Sequence, residues 1–328
     1  MNTMVNHLIC IGLAYILDKV IGDPKSIPHP VRFFGAFISY FDKKWNKGSS
    51  KKWKGIWMIL IVTIFFTLIA GGFVFVSYRL HVLFGLFIET VIITFMIAEK
   101  SLKEAAVEVY EPLARNDMAQ ARIKLSWIVG RDTDTLGEEE IVRGTVETVA
   151  ENTSDAVTAP LFWTLIGGAP LAVFYRVANT ADAMVGYRNE KYEQFGYASA
   201  KLDDLLNYIP SRLTAFVMIF VNRTSRAKKE CFRLIRRDAK KHPSPNSGFP
   251  ETAMAALLGV QLGGRNTYKG IVSTRAKLGD AIHALKANHI QRSVQIMERT
   301  NACFVLLLIL GGGLIAMAVT WIKSSLFI

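Results

Sequence analysis

Residues 56–78 read IWMILIVTIFFTLIAGGFVFVSY, an apolar run without one charged side chain. About 20 such residues on a helix cover the ~30 Å hydrocarbon thickness of a bilayer, so this stretch predicts a membrane-spanning helix. Working outward, 80–98 and 302–322 repeat the pattern, and 4–22 forms a fourth span. That first span carries Asp18 and runs into Gly22-Asp23-Pro24 with no small-residue cleavage site, so it reads as a retained helix and not as a signal peptide. Apolar residues make up 51% of the 328 and mean hydropathy is +0.26, which excludes an ordinary soluble domain. The expected fold is all-α, a polytopic membrane helix bundle with re-entrant or broken helices and cytoplasmic amphipathic helices, forming one membrane-embedded domain over 1–328.

Two further apolar segments are less regular. Residues 156–175 are interrupted by Pro160 and by Gly167-Gly168-Ala169-Pro170, and 209–221 is short before Asn222. Both are expected to be broken or re-entrant. Orientation follows from charge. Residues 23–55 hold eight Lys/Arg against Asp23 and Asp42, and 223–241 hold nine against Glu230 and Asp238, so both stretches belong in the cytoplasm. If 156–175 and 209–221 are re-entrant, everything from 99 to 301 stays on that face and both termini lie outside. We prefer this arrangement because it keeps every polar motif on one side; 99–155 and 222–301 are then cytoplasmic helical regions. The net charge of +12 needs no nucleic acid, because basic runs beside apolar spans set topology and contact lipid headgroups. Cys10, Cys231 and Cys303 are isolated and make neither a thiolate metal site nor a disulfide framework.

The polar residues gather in four clusters. Asp18, Asp23-Pro24 and Pro28-His29-Pro30-Val31-Arg32 form a stiff exit from the first span. Val129-Gly130-Arg131-Asp132-Thr133 leads through Glu138-Glu139-Glu140, a helix start, to Arg143, Glu147, Glu151 and Asp155. Helices are expected over 99–129 and 138–151, the first with Leu102, Ala106, Val109 and Leu113 on one face. A third cluster holds Tyr175, Arg176, Asn179, Asp182, Gly186, Tyr187, Arg188, Tyr192, Lys201, Asp203, Asp204 and Asn207. The fourth, Lys241-His242-Pro243-Ser244-Pro245-Asn246-Ser247-Gly248-Phe249-Pro250-Glu251, is a rigid small-residue loop followed by Gly263-Gly264. Such loops expose amides to anions, although many are simple turns.

Across these clusters one pattern recurs. Asn152-Thr153-Ser154-Asp155-Ala156 and Asn179-Thr180-Ala181-Asp182-Ala183 flank the broken apolar segment. On a helix, Asn at i and Asp at i+3 share a face and offer the oxygen ligands that Mg²⁺ prefers. Glu147, Glu151 and Asp155 also stand at i, i+4 and i+8, a stripe of acids. Arg176 and Arg188 lie beside the second copy, where they suit a phosphate.

These motifs, in this order over nearly the whole chain, resemble the CobD/CbiB family of adenosylcobinamide-phosphate synthases, integral membrane proteins of cobalamin biosynthesis. The resemblance rests on Gly22-Asp23-Pro24 with Pro28-His29-Pro30-Val31, Val129-Gly130-Arg131-Asp132-Thr133, Val149-Ala150-Glu151-Asn152-Thr153 through Ala159-Pro160-Leu161-Phe162-Trp163, Asn179-Thr180 with Met184-Val185-Gly186-Tyr187, and Lys241 through Gly248. Ala156 stands where the family pattern leads us to expect glycine, and Phe249 where it leads us to expect tryptophan.

The resemblance implies a carbon–nitrogen ligase in the bacterial plasma membrane, its active site cytoplasmic. It would join adenosylcobyric acid to aminopropanol or its O-phosphate, with ATP and Mg²⁺, to give adenosylcobinamide or its phosphate. Activating a carboxylate through an acyl phosphate needs a metal, cationic clamps and a base. The residues on offer are Glu151, Asp155 and Asp182 for the metal, and Arg32, Arg131, Arg176, Arg188 and Lys201 for phosphates and carboxylate. Asn152, Asn179 and Asn246 are further substrate-binding candidates, and His29 or His242 serves proton transfer. Trp163, Tyr175, Tyr187, Tyr192 and Phe249 are aromatic candidates for the corrin ring. An intramembrane prenyltransferase is the alternative enzyme, but it needs a second acid four residues after Asp155 and Asp182, where Ala159 and Gly186 stand. A transporter would use Asp18 and Glu89 as ion-coupling acids, and a more distant relative of the superfamily is a sensory membrane protein.

Overall fold

The computed structural model describes residues 3–23 and 29–326; Pro24 and Pro28 of the first motif lie outside the described residues. In chain order the helices are α1 (Thr3–Ile21), α2 (Pro30–Trp45), α3 (Lys51–Leu80), α4 (Val82–Thr94), α5 (Glu99–Ala114), α6 (Met118–Ser126) and α7 (Glu138–Thr153). A π turn at Ser154–Thr158 leads into α8 (Ala159–Val185), α9 (Tyr197–Leu206), α10 (Tyr208–Val221), α11 (Lys228–Asp238) and α12 (Gly248–Leu258). A hairpin of β1 (Leu262–Tyr268) and β2 (Ile271–Leu278) precedes the long α13 (Asn288–Leu326).

Among the described residues, five helical stretches are long and apolar enough to cross a membrane: Thr3–Ile21, Lys51–Leu80, Val82–Ala114, Glu138–Val185 and Asn288–Val319. A bent pair, Tyr197–Leu206 with Tyr208–Val221, would make a sixth. The protein is a polytopic helical membrane protein.

The chain divides into two compact units, each built from discontinuous segments. The first comprises Met1–Ala98, Ala159–Asn207 and Val305–Ile328. Its core is apolar side chains of α2, α3 and α8, among them Phe34, Ile38, Met58, Val62, Val173 and Val177. Large apolar residues also point outward without cover, such as Leu68 (69% exposed), Phe73 (64%) and Leu83 (68%). That outward face suits lipid, which solvates hydrocarbon and leaves the backbone to satisfy itself within the helix. Within α8 the Gly-Gly-Ala-Pro sequence does break the helix: Gly167 and Gly168 have non-helical dihedrals, Gly168 with φ 63°. Glu89 of α4 closes the gap, Oε1 accepting the Ala169 N–H at 3.1 Å and Oε2 the Tyr78 hydroxyl at 2.7 Å. An acid that a transporter would need for ion coupling therefore caps the second half of α8.

The second unit comprises Glu99–Thr158 and Tyr208–Phe304. The apolar face of α5 is buried as its spacing predicts, Leu102, Ala106, Val109 and Leu113 all entering a core with α7, α12 and the start of α13. The single helix expected over 99–129 is instead α5 and α6. Asn116 turns left-handed with φ 59°, and the Asp117 carboxylate accepts the Gln120 N–H at 3.0 Å to start α6. Glu138 does begin α7, with the Glu140 carboxylate reaching back to the Gly137 N–H at 3.0 Å. The all-helical expectation for 222–301 fails at the hairpin, where β1 and β2 pair antiparallel from Leu262↔Leu278 to Tyr268↔Ile271. Its two-residue turn puts both Lys269 (φ 51°) and Gly270 (φ 79°) in the left-handed region, which matches the twist of the strands. Gly263 and Gly264, read as the tail of an anion-exposing loop, form an irregularity in β1. A Cβ on Gly263 would lie 2.2 Å from the Ala276 carbonyl.

Candidate active site

In the second unit, α7, α12, the hairpin and the loop before α12 bring four sequence motifs onto one polar cluster. Arg131 is buried. It donates from Nη1 to Asn266 Oδ1 at 2.6 Å and from Nη2 to Glu147. Glu147 also accepts the Gly263 N–H at 2.8 Å. One turn earlier on α7, Arg143 donates to the carbonyls of Gly263 and Arg265 and to Asn266 Oδ1. Arg131 and Arg143 thus fasten the hairpin to α7.

One turn further on, Glu151 is half-buried and its Oε1 accepts the Ser247 hydroxyl at 2.8 Å. The loop carrying Ser247 is ordered by Ser244, whose Oγ accepts the N–H groups of Asn246 and Ser247, each at 3.2 Å. Asn246 Oδ1 accepts from Arg212 at 3.2 Å, and the Arg212 guanidinium lies between the Tyr208 and Phe249 rings at 3.6 and 4.2 Å. His242 Nδ1 lies 3.1 Å from the Ser244 nitrogen and 3.3 Å from the Ser244 carbonyl oxygen, so it accepts from the first in one tautomer and donates to the second in the other. Nε2 is buried without a hydrogen-bond partner and lies 3.5 Å from Glu251 Oε1, both side chains being almost fully enclosed. Burial, with Glu147 and Glu151 nearby, pushes the Glu251 carboxyl well above the usual carboxylate range. Burial likewise holds His242 below the ordinary histidine value.

In the first unit a second network runs along α8 and α9. Tyr175 is fully buried and donates to Asn207 Oδ1 at 2.9 Å. Asn207 donates to Asp203 Oδ2 at 3.1 Å, and Asn179 to Asp203 Oδ1 at 3.2 Å. Arg176 Nη1 lies 3.5 Å from Asn179 Oδ1. Asp182 shares this face of α8, and its Oδ1 folds over Gly186, where a Cβ would lie 1.8 Å away. Arg188 is exposed beyond the end of α8, and Lys201 is paired with Asp204 at 3.1 Å. At the start of α2, His29 is an N-cap, Nδ1 accepting the Val31 N–H at 3.2 Å and Nε2 facing Asp23 at 3.2 Å. Arg32 is exposed one turn on.

The match to known proteins covers most of this chain. The profile of the CobD/CbiB protein family fits residues 11–297. The chain belongs to the CobD/CbiB family. It is 52% identical over 311 residues to the cobalamin biosynthesis protein CobD of Halalkalibacterium halodurans, covering 94% of this chain and 98% of the relative. It is 42% identical over 293 residues to CobD of Clostridium perfringens, covering 88% and 93%. It is 40% identical over 302 residues to the cobalamin biosynthesis protein CbiB of Salmonella typhimurium, covering 90% and 95%. No solved structure matches it.

In this CobD/CbiB-family chain the two Asn-x-x-Asp copies are not equivalent. Asn179 and Asp182 stand on a regular helix in one unit. Asn152, which donates to the Thr148 carbonyl at 3.0 Å, and Asp155 straddle the end of α7 and the π turn in the other. The α-helical spacing behind the Glu147–Glu151–Asp155 stripe therefore ends at Thr153. Among the described residues no three of Asp, Glu, His and Cys converge closely enough to hold a metal ion, so the proposed ligands form no preassembled cage. Asn266 was not singled out from sequence because its partners Arg131 and Arg143 are remote along the chain; Ser247, Glu251, Asp203 and Asn207 were noted only as members of clusters. A signal for the hairpin existed in the β-branched run around Lys269-Gly270.

Proposed function

We propose that this protein acts in cobalamin biosynthesis, forming the amide between a corrinoid carboxylate, that of adenosylcobyric acid, and aminopropanol or its O-phosphate, at the expense of ATP. The observation that carries this reading is the near full-length similarity to relatives named as cobalamin biosynthesis proteins. The chemistry of the polar clusters supports it: cations suited to phosphate or carboxylate, carboxylates suited to metal or amine, and a buried histidine beside a carboxyl group.

When bound, ATP would supply the activating phosphoryl group and Mg²⁺ would offset the charge of its phosphates. A Mg²⁺ that arrives with phosphates needs only one or two protein carboxylates, and Asp182 in the first unit or Asp155 in the second would by itself meet that lighter demand. Arg176, whose Nη1 lies 3.5 Å from Asn179 Oδ1 on α8, suits a phosphate, and exposed Arg32 and Arg188 suit the carboxylates and phosphates of arriving substrates. The site is assigned to the cytoplasmic face of the plasma membrane, where nucleotide is available and where the basic stretches belong. The test is whether purified protein hydrolyses ATP only when cobyric acid and the aminoalcohol phosphate are both present. Hydrolysis that ignores either one, or no amide product, would remove this assignment.

A further inference from the structure

Resting on the amide-forming reading, we propose that Glu151, Glu251 and His242 form the seat of the substrate's amino group, taken as an ammonium ion. Two observations point to a missing cation. Glu147, the third acid of the cluster, is already neutralised by Arg131 and the Gly263 N–H. Among the described residues, Glu151 and Glu251 have no Lys or Arg within ion-pair distance; Glu151 has the Ser247 hydroxyl and Glu251 faces only His242. A buried carboxylate without a counter-charge is costly, and a bound cation removes that cost.

The second observation is His242 itself. Its Nε2 is buried in this cluster and has no hydrogen-bond partner. With Glu251 ionised by an arriving ammonium, the tautomer that carries its proton on Nε2 has an acceptor 3.5 Å away, and a small rotation completes the bond. His242 thus positions the charged form of Glu251.

An ammonium fits better than a metal. A divalent ion needs its oxygens drawn to about 2.1 Å around one point, and no such trio converges here. An ammonium reaches separate acceptors at about 2.8 Å along diverging N–H bonds. Glu151 is the half-buried member of the pair, whereas Glu251 is only 2% exposed. The charged groups acting on Glu251 are Glu147, Glu151, Arg131 and Arg275. Arg275 is itself held by the Tyr268 hydroxyl at 2.8 Å.

The experiment measures direct binding to the full-length protein in detergent, by calorimetry, without ATP or corrinoid. The probes are 1-amino-2-propanol O-phosphate and the deaminated 1,2-propanediol phosphate, which keeps the phosphate and loses the ammonium. Wild type should prefer the amine at least tenfold. Glu251→Gln and Glu151→Gln should each weaken the amine at least tenfold while changing the deaminated probe less than twofold. Amine affinity should rise with pH more steeply in wild type than in Glu251→Gln, since binding expels the Glu251 proton, while the part of the slope due to the probe's own phosphate is common to both. Equal binding of both probes, or wild-type selectivity in both variants, would overturn the seat. So would binding of Mg²⁺ alone that disappears in the same variants, because the cluster would then be a metal site. ATP turnover is scored separately, so an intact reaction with a failed seat is distinguishable from a failed reaction.

Discussion

At the residue scale, the cluster around Glu251 sacrifices stability in the empty protein. A carboxyl whose folded pKa lies above its unfolded value contributes stability below the unfolded pKa and loses it as pH rises through the folded one. Burial and the neighbouring glutamates set that direction for Glu251. Glu251→Gln, which keeps the shape and removes the charge, should therefore raise the thermal midpoint of the detergent-solubilised protein at pH 8 and leave it nearly unchanged at pH 5. A midpoint that falls at pH 8 would show that the carboxylate is stabilised as an anion. On α8 the relevant residue is Arg176, beside Asn179 and Asp182. If its planar fork grips a phosphate, Arg176→Lys should lower kcat/KM about a hundredfold, the equivalent of one lost bidentate contact of a few kcal/mol. Unchanged steady-state kinetics with the phosphorylated amine would reduce Arg176 to a packing role.

At the element scale, the decisive feature is the break in α8. Gly167-Gly168 stops one helix and Ala169-Pro170 starts the next, with proline suited to a first turn whose N–H groups lack partners. The freed Ala169 N–H is satisfied by Glu89, itself held by Tyr78. Gly168 has no substitute: its φ of 63° disfavours any side chain, and a Cβ would sit 2.2 Å from Glu89 Oε1 and 2.7 Å from His7 Nε2. With ψ −158° the residue lies in a region open essentially to glycine, so Gly168→Ala should destabilise by at least about 1–3 kcal/mol, read as a lower thermal midpoint. It should also reduce turnover, because Arg176, Asn179 and Asp182 ride on the half of the helix that Glu89 caps. A fully stable and active variant would mean that the break relaxes without consequence for the residues beyond it. The hairpin obeys the same logic on a smaller scale. Its turn and the glycines of β1 are fixed by backbone geometry, and Arg143 of α7 then binds its carbonyls.

At the scale of the whole molecule, the number of crossings turns on the two irregular apolar segments. The basic stretches at 23–55 and 223–241 place 99–301 on the cytoplasmic face if 156–175 and 209–221 turn back. A cysteine at Glu193, between those two segments, should then react with a membrane-impermeant maleimide only from the cytoplasmic side. Cys10 and Cys231 are buried and Cys303 is partly enclosed, so Cys303→Ser gives a clean background. Reaction only from the outer side would establish six spans, with the bent pair α9–α10 crossing as one.

The sequence by itself determined that the protein is a helical membrane protein, where its principal apolar spans lie, that α5 buries one stripe, that α7 starts at Glu138, and that Gly-Gly-Ala-Pro interrupts a helix. These are local matters: hydrocarbon length, helical period and backbone dihedrals act over a few neighbouring residues. The motifs from Arg131 to Gly248 also carried the family resemblance. Only the tertiary structure decided that Glu147 belongs to Arg131 and Gly263, that Asn179 turns to Asp203, and that Glu251 meets His242 without a cation beside it. His242 and Glu251 stand nine residues apart in one stretch, but the other pairings join residues from different elements, and which charge neutralises which depends on how the elements pack. The same reason hid the role of Glu89, whose place in an apolar helix suggests ion coupling until the broken helix it caps is brought against it.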